Sequence, residues 1–325
     1  MATNRVKRQK FLKTERSKEL EIDLLESVAL GAASLAKETD PGARGRLTWG
    51  MATESLELLI LRYTAGFDIH DLRNELPQVI QRFDEFVPLD NPPPHRAYTF
   101  DITQEEAYVY IFWLLSLCQL LGHPALCRTV LGWLDRNRDF NRGRDGLFEA
   151  VCERLTGEKV DVERVLLHPD AYRPLAKASA PDAEDRPALV KEFLDGWYKN
   201  MKGCYWHGTH TDGEGSSYFG YWAFEAALVT YLWDIDDSSY RDHLVYPKDL
   251  VDHAREHFPY TGPSPQAGPD RARRCEAGQP CPQAGWWSTP AKERSRQRFE
   301  AGEVMPAVAG DYGATIWQWD VDQES

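Results

Sequence analysis

The sequence predicts a mainly α protein: two packed helical domains with a C-terminal extension containing short β segments. Three observations predict it. Apolar residues recur at three- and four-residue spacing in segment after segment, the pattern of helices with one buried face. Period-two alternation, the mark of a half-buried strand, is nearly absent; Ala314–Trp319 (ATIWQW) is the one strand-like run. Pro- and Gly-rich breakers then divide the chain into a basic flexible arm (1–16), an N-terminal helical domain (17–156) and a connecting segment (157–186). A C-terminal helical domain (187–258) and an aromatic-rich extension (259–325) complete it.

Taken in order, Met1–Arg16 reads as a frayed, solvated arm. Ser17 is placed to cap a helix through Leu20, Leu24, Val28 and Leu35, ending before Asp40-Pro41-Gly42. Helices over Leu47–Thr64 and Ile69–Phe86 follow, and Pro77 should kink or split the second. Beyond the breaker Asn91-Pro92-Pro93-Pro94, Asp101–Leu121 is apolar on most sides and should be the centre of the first domain. Pro124–Leu134 and Gly146–Leu155 complete that domain, separated by a polar turn at Asp139–Asp145. Val160–Arg186 turns to Pro, Ala and Asp and reads as the connection. Pro187–Lys202 is helical, and after the loop His207–Gly215 a helix starting near Tyr218 should be buried nearly all round. Pro247 opens a last helix through Leu250, Val251 and Ala254. In the extension, Trp286, Trp287, Trp317 and Trp319 are expected to fold back onto the helices, because indoles are costly to leave in water.

With 325 residues the chain can bury a sizeable core, and its 11 Trp and 14 Tyr exclude a disordered scaffold. A net charge of −13 argues against a nucleic-acid backbone or an anionic membrane as partner. It suits a basic partner, such as a nuclease whose DNA-gripping cleft would steer an acidic inhibitor onto itself. The basic beginning has no apolar core behind it, so no secretion signal is expected. The most apolar run, Ala107–Leu121, is too short to cross a bilayer. Together with cysteines that read as reduced thiols, this makes a cytoplasmic protein the expectation.

Motifs that carry chemistry are sparse. No phosphate-cradling glycine pattern and no nucleophile elbow occurs. His207, His210, Asp212 and Glu214 form a string of metal-ligand types, but in a Gly-rich loop rather than on a rigid element. An ordinary polar loop without metal or cofactor is expected there, a metal-dependent enzyme being the alternative. Cys275 and Cys281 lack the two further ligands of a zinc knuckle. Glu225 shares a stripe with Trp222 and Val229, so its carboxylate must neutralise or find a partner, and Arg241 or His243 is the expected one. Asp236 or Asp237 should cap the turn at Ser238–Tyr240. Acids that face outward are the expected contacts of a basic partner: Asp182, Glu184 and Asp185 in the connection, Asp212 and Glu214 in the loop, and Asp234, Asp236 and Asp252 beyond the buried helix.

Four stretches carry a resemblance: FLDGWYKNMKGCYWHGTH (193–210), GYWAFEAALV (220–229), DDSSYRDH (236–243) and YPKDLVDHAR (246–255). Their order and spacing resemble the C-terminal domain of the PoNi family, immunity proteins that protect bacteria from toxins delivered by the type VI secretion apparatus. The N-terminal half resembles that family's first domain in pattern, and the tail resembles an extension found on other polymorphic-toxin immunity proteins. The resemblance implies a non-enzymatic inhibitor of a DNase-type effector, with Trp222, Glu225, Asp237, Arg241 and His243 as its structural motif; a homodimer is left open by the sequence. A helical module with a non-toxin partner is the other alternative.

Overall fold

A computed structural model describes residues 5–92, 97–160, 162, 165–213, 216–262, 274–289, 292, 295–308 and 315–320. The chain divides into two compact units, 1–263 and 264–325. The first is helical: α1 (Thr14–Leu35), α2 (Pro41–Thr64), α3 (Ile69–Phe86), α4 (Glu105–Leu120), α5 (Pro124–Trp133), a short α6 (Arg138–Asn141), α7 (Gly146–Thr156), α8 (Pro169–Ser179), α9 (Arg186–Asn200), α10 (Phe224–Leu232) and α11 (Lys248–His257). No described helix is long and apolar enough to cross a membrane.

Local chemistry sets most of the boundaries. Asp40 accepts the Ala43 N–H at 2.7 Å ahead of Pro41, so α2 starts six residues before the predicted Leu47. Ser17 does not cap α1, which already begins at Thr14; its hydroxyl instead donates to the Thr14 carbonyl. Pro77 does not split α3. A proline cannot supply the N–H that residue 73's carbonyl needs, and here His123 Nε2 donates to the Arg73 oxygen at 2.8 Å. The same device recurs in α8, where Pro174 frees the Asp170 carbonyl and Asn200 Nδ2 donates to it at 3.2 Å.

One continuous core runs from Leu12 to Ala254. From Ala107 to Leu120 every residue of α4 is buried, and α10 is buried throughout; these two helices pack on each other with α7, α8, α9 and α11 around α10. Residues 157–186 carry α8, whose Tyr172 and Leu175 are fully buried, and so are more than a connection.

Two expectations about the chain's ends of this unit fail together. The segment 5–13 is not a solvated arm: Gln9 is 1% exposed and Leu12 2%. Residues 216–223, expected to be helical from Tyr218, form no helix, and α10 begins only at Phe224. The Gln9 amide joins them. It donates to the carbonyls of Tyr221 and Leu244, and accepts from the Tyr221 N–H at 2.9 Å and from the Tyr218 hydroxyl. Arg8 adds an ion pair with Asp249 at 2.7 Å. Gly220 sits at φ 134°, a backbone conformation glycine adopts without strain.

The second unit is a four-stranded antiparallel sheet in the order β1 (Arg274–Glu276), β4 (Ile316–Trp319), β2 (Gly285–Ser288), β3 (Gln297–Phe299). Cys275 pairs with Trp317 and Gly285 with Phe299. Cys275, Cys281, Trp287, Phe299, Met305 and Trp317 bury one another in a core of the unit's own. Burial of Trp287 and Trp317, which were expected to need the helices, is thus met within the sheet.

Candidate functional site

Glu225 lies in the first turn of α10 and is fully buried. Its Oε1 accepts from Trp197 Nε1 at 2.7 Å and from the Tyr172 hydroxyl at 3.2 Å, while Oε2 has no partner. Burial pushes its pKa from 4.5 up to about 7, and the hydrogen bonds, with the nearby Trp113 indole, hold it from rising further. Arg241 and His243 are not its partners. Neutral donors from α8 and α9 reach it because they converge on the same buried turn, a convergence that helical spacing alone does not display.

Arg241 belongs to a separate network. Asp237, 3% exposed, accepts from Arg241 at 3.1 Å and from the Tyr246 hydroxyl at 3.1 Å, and pairs with Arg255 at 3.3 Å. Asp252 closes on Arg241 at 2.8 Å. His243 lies 3.5 Å from Asp195, and burial lowers its pKa against the pull of that carboxylate. Trp222 donates to Thr64 Oγ1 at 2.9 Å and meets Tyr63 edge-on. Each of these side chains ties the α10–α11 end of the unit together.

Asp236 caps its turn as expected, accepting from the Ser238 N–H at 3.0 Å and hydroxyl at 2.9 Å, which lowers its pKa. Asp234 is exposed at φ 48°, in the left-handed region that Asp tolerates better than most residues. In the loop, His207 stacks on Tyr198 with ring centroids 4.2 Å apart, and His210 Nδ1 lies 2.9 Å from the Tyr221 hydroxyl. Asp212 is exposed, and Glu214 lies outside the described residues. Among the described residues no three His, Cys, Asp or Glu side chains converge as metal ligands.

Asp182, Glu184 and Asp185 are brought together on the α8–α9 loop, where Asp185 also caps α9 through the Ala188 N–H at 3.0 Å. They edge a groove of about 840 Å³ between α7, α8 and α9, floored by Leu147, Ala150, Leu166, Ala176 and Leu189. Glu192 joins the same edge and was missed in the sequence. Its signal was available: seven residues after Asp185 is two helical turns, which returns to the same face. The groove floor was not legible, since its side chains come from three helices and the segment before α8.

Two family models match the chain: the N-terminal model of the PoNe immunity proteins (PoNi) over residues 7–133 and their C-terminal model over residues 143–250. The chain is also similar in fold to a crystal structure of protein PA2201 from Pseudomonas aeruginosa. That similarity has a TM-score of 0.59 at 18% identity, covering 78% of this chain and 92% of the other. No curated protein matches. Both family models fall in order on the helical unit and together span most of the chain, which therefore belongs to the PoNe immunity protein (PoNi) family.

Proposed function

We propose that the chain neutralises its cognate toxin by binding it tightly and covering its active or DNA-binding site, performing no chemistry itself. The toxin is a DNase-type effector of a type VI or related contact-dependent system. The observation that carries this reading is the ordered match of both PoNi models to residues 7–250. The net charge of −13 supports it, since a DNA-gripping cleft is basic and opposite charges accelerate encounter.

Asp182, Glu184, Asp185, Asp212, Glu214, Asp234 and Asp236 are the contacts proposed for the toxin. Asp252 is a weaker candidate, because its carboxylate is engaged by Arg241. The test is co-expression with the neighbouring open reading frame in a heterologous bacterium, scoring viability and co-purification. Killing by the neighbour, rescue by this chain and a stable complex are the expected results. A neighbour that kills regardless of this chain overturns the reading for that pair.

A further inference from the structure

Extending the toxin-binding reading, and resting on it, we propose that the α7–α8–α9 groove seats an apolar side chain of the toxin flanked by a lysine or arginine. The groove has the size of a binding pocket, about 840 Å³, within the range of roughly 300–1,000 Å³ in which proteins enclose most of a ligand's surface. Its floor is apolar and is not filled by any described side chain. Val165, on its wall, is 47% exposed, where water gains nothing from it.

Charge selects the occupant. Asp182, Glu184, Asp185 and Glu192 crowd one lip within eleven residues of sequence. The carboxylates of Glu184 and Glu192 make no hydrogen bond or ion pair with a described residue, so their charge is available at the mouth. The lining also includes Arg173 and Lys177, both on α8. A segment lying across the mouth is therefore oriented: its cationic residue meets the loop and α9, and its carbonyls or a carboxylate meet α8. An acidic segment or a phosphate backbone would have to pass four carboxylates to reach the floor, which disfavours both. A side chain sunk in such a pocket, shielded from water by the contacts around it, is where interface binding energy concentrates.

The mouth can be blocked without touching the core. Ala188 lies on the exposed first turn of α9 and lines the groove, so Ala188→Trp lays an indole across it. The full-length chain and the toxin domain encoded by the neighbouring open reading frame are the reagents, and calorimetric affinity with hydrogen–deuterium exchange is the readout. Ala188→Trp should weaken binding about 100-fold, as loss of a hot spot does. Glu184→Lys with Glu192→Lys should weaken it about 10-fold and flatten its salt dependence. The toxin should protect residues 176–189 from exchange. Glu26→Lys, at an exposed position of α1, serves as the control and should change nothing.

Wild-type binding that survives both groove changes within twofold overturns the groove while leaving the toxin-binding reading intact. A loss confined to Glu26→Lys does the same. Failure of the wild-type chain to bind overturns the reading and the groove with it. A self-associated chain that Ala188→Trp renders monomeric would assign the groove to a second copy and overturn the proposal.

Discussion

Glu225→Gln should make the helical unit lose a pH dependence that the wild-type chain carries. Glu225 is fully buried and its pKa is raised from 4.5 to about 7. A carboxyl whose folded pKa exceeds its unfolded one favours folding in its protonated form. Its contribution is complete below pH 4.5, falls as pH rises through about 7, and is flat above. A shift of this size corresponds to about 3 kcal/mol between pH 4.5 and about pH 8. The glutamine keeps an oxygen for Trp197 Nε1 and the Tyr172 hydroxyl and does not titrate. Urea unfolding of both proteins, followed by helical circular dichroism across that range, gives the difference, and every group common to both cancels. The difference should move in favour of the variant by about 3 kcal/mol on going to pH 8. A difference constant to within about 0.5 kcal/mol across the range would show that Glu225 is ionised throughout and that its donors outweigh burial.

Three further outcomes follow from the packing. Gln9→Ala removes a buried amide that serves four groups on residues 218–244 and should cost about 3 kcal/mol in urea unfolding, against under 0.5 kcal/mol for Lys10→Ala. Gly220→Ala places a Cβ 2.1 Å from Thr64 Oγ1 at a φ of 134° and should cost at least about 2 kcal/mol, read as a lowered thermal midpoint. Trp317→Ala removes the centre of the sheet's core and should cost about 3–5 kcal/mol, more than so small a unit can lose. Exchange protection should then vanish over residues 274–320 while the helical signal at 222 nm persists; loss of both would refute the separateness of the two cores.

What the sequence displayed and what it hid divide along the range of the forces involved. α4 and α11 were readable because apolar spacing, Glu105 in the first turn and Pro247 ahead of the helix are local signals. The break before α10 was not, because residues 218–223 have helical apolar spacing and are held out of the helix by Gln9, more than 200 residues away. Pro77 read as a breaker for the same reason: the side chain that repairs its helix, His123, belongs to another element. The need of Glu225 for partners was legible from its stripe, but sequence proximity favoured Arg241 over the indole of Trp197. In the extension, Ala314–Trp319 was recognisable as a strand, whereas β1 and β3 are three residues each and carry no periodicity to read.

The long reach of Gln9 and Arg8 also sets a clock. Arg8 meets Asp249 across 241 residues, and Gln9 meets Leu244 across 235. While the chain is being made, Arg8 and Gln9 leave the ribosome long before Tyr218, Leu244 and Asp249. At roughly 5–20 residues per second their partners emerge roughly 10–50 s later. Until then the Gln9 amide lacks the four groups it joins. Protection from a toxin therefore cannot be delivered by a partly translated copy: the latch that closes the helical unit engages only once nearly all of that unit has been synthesised.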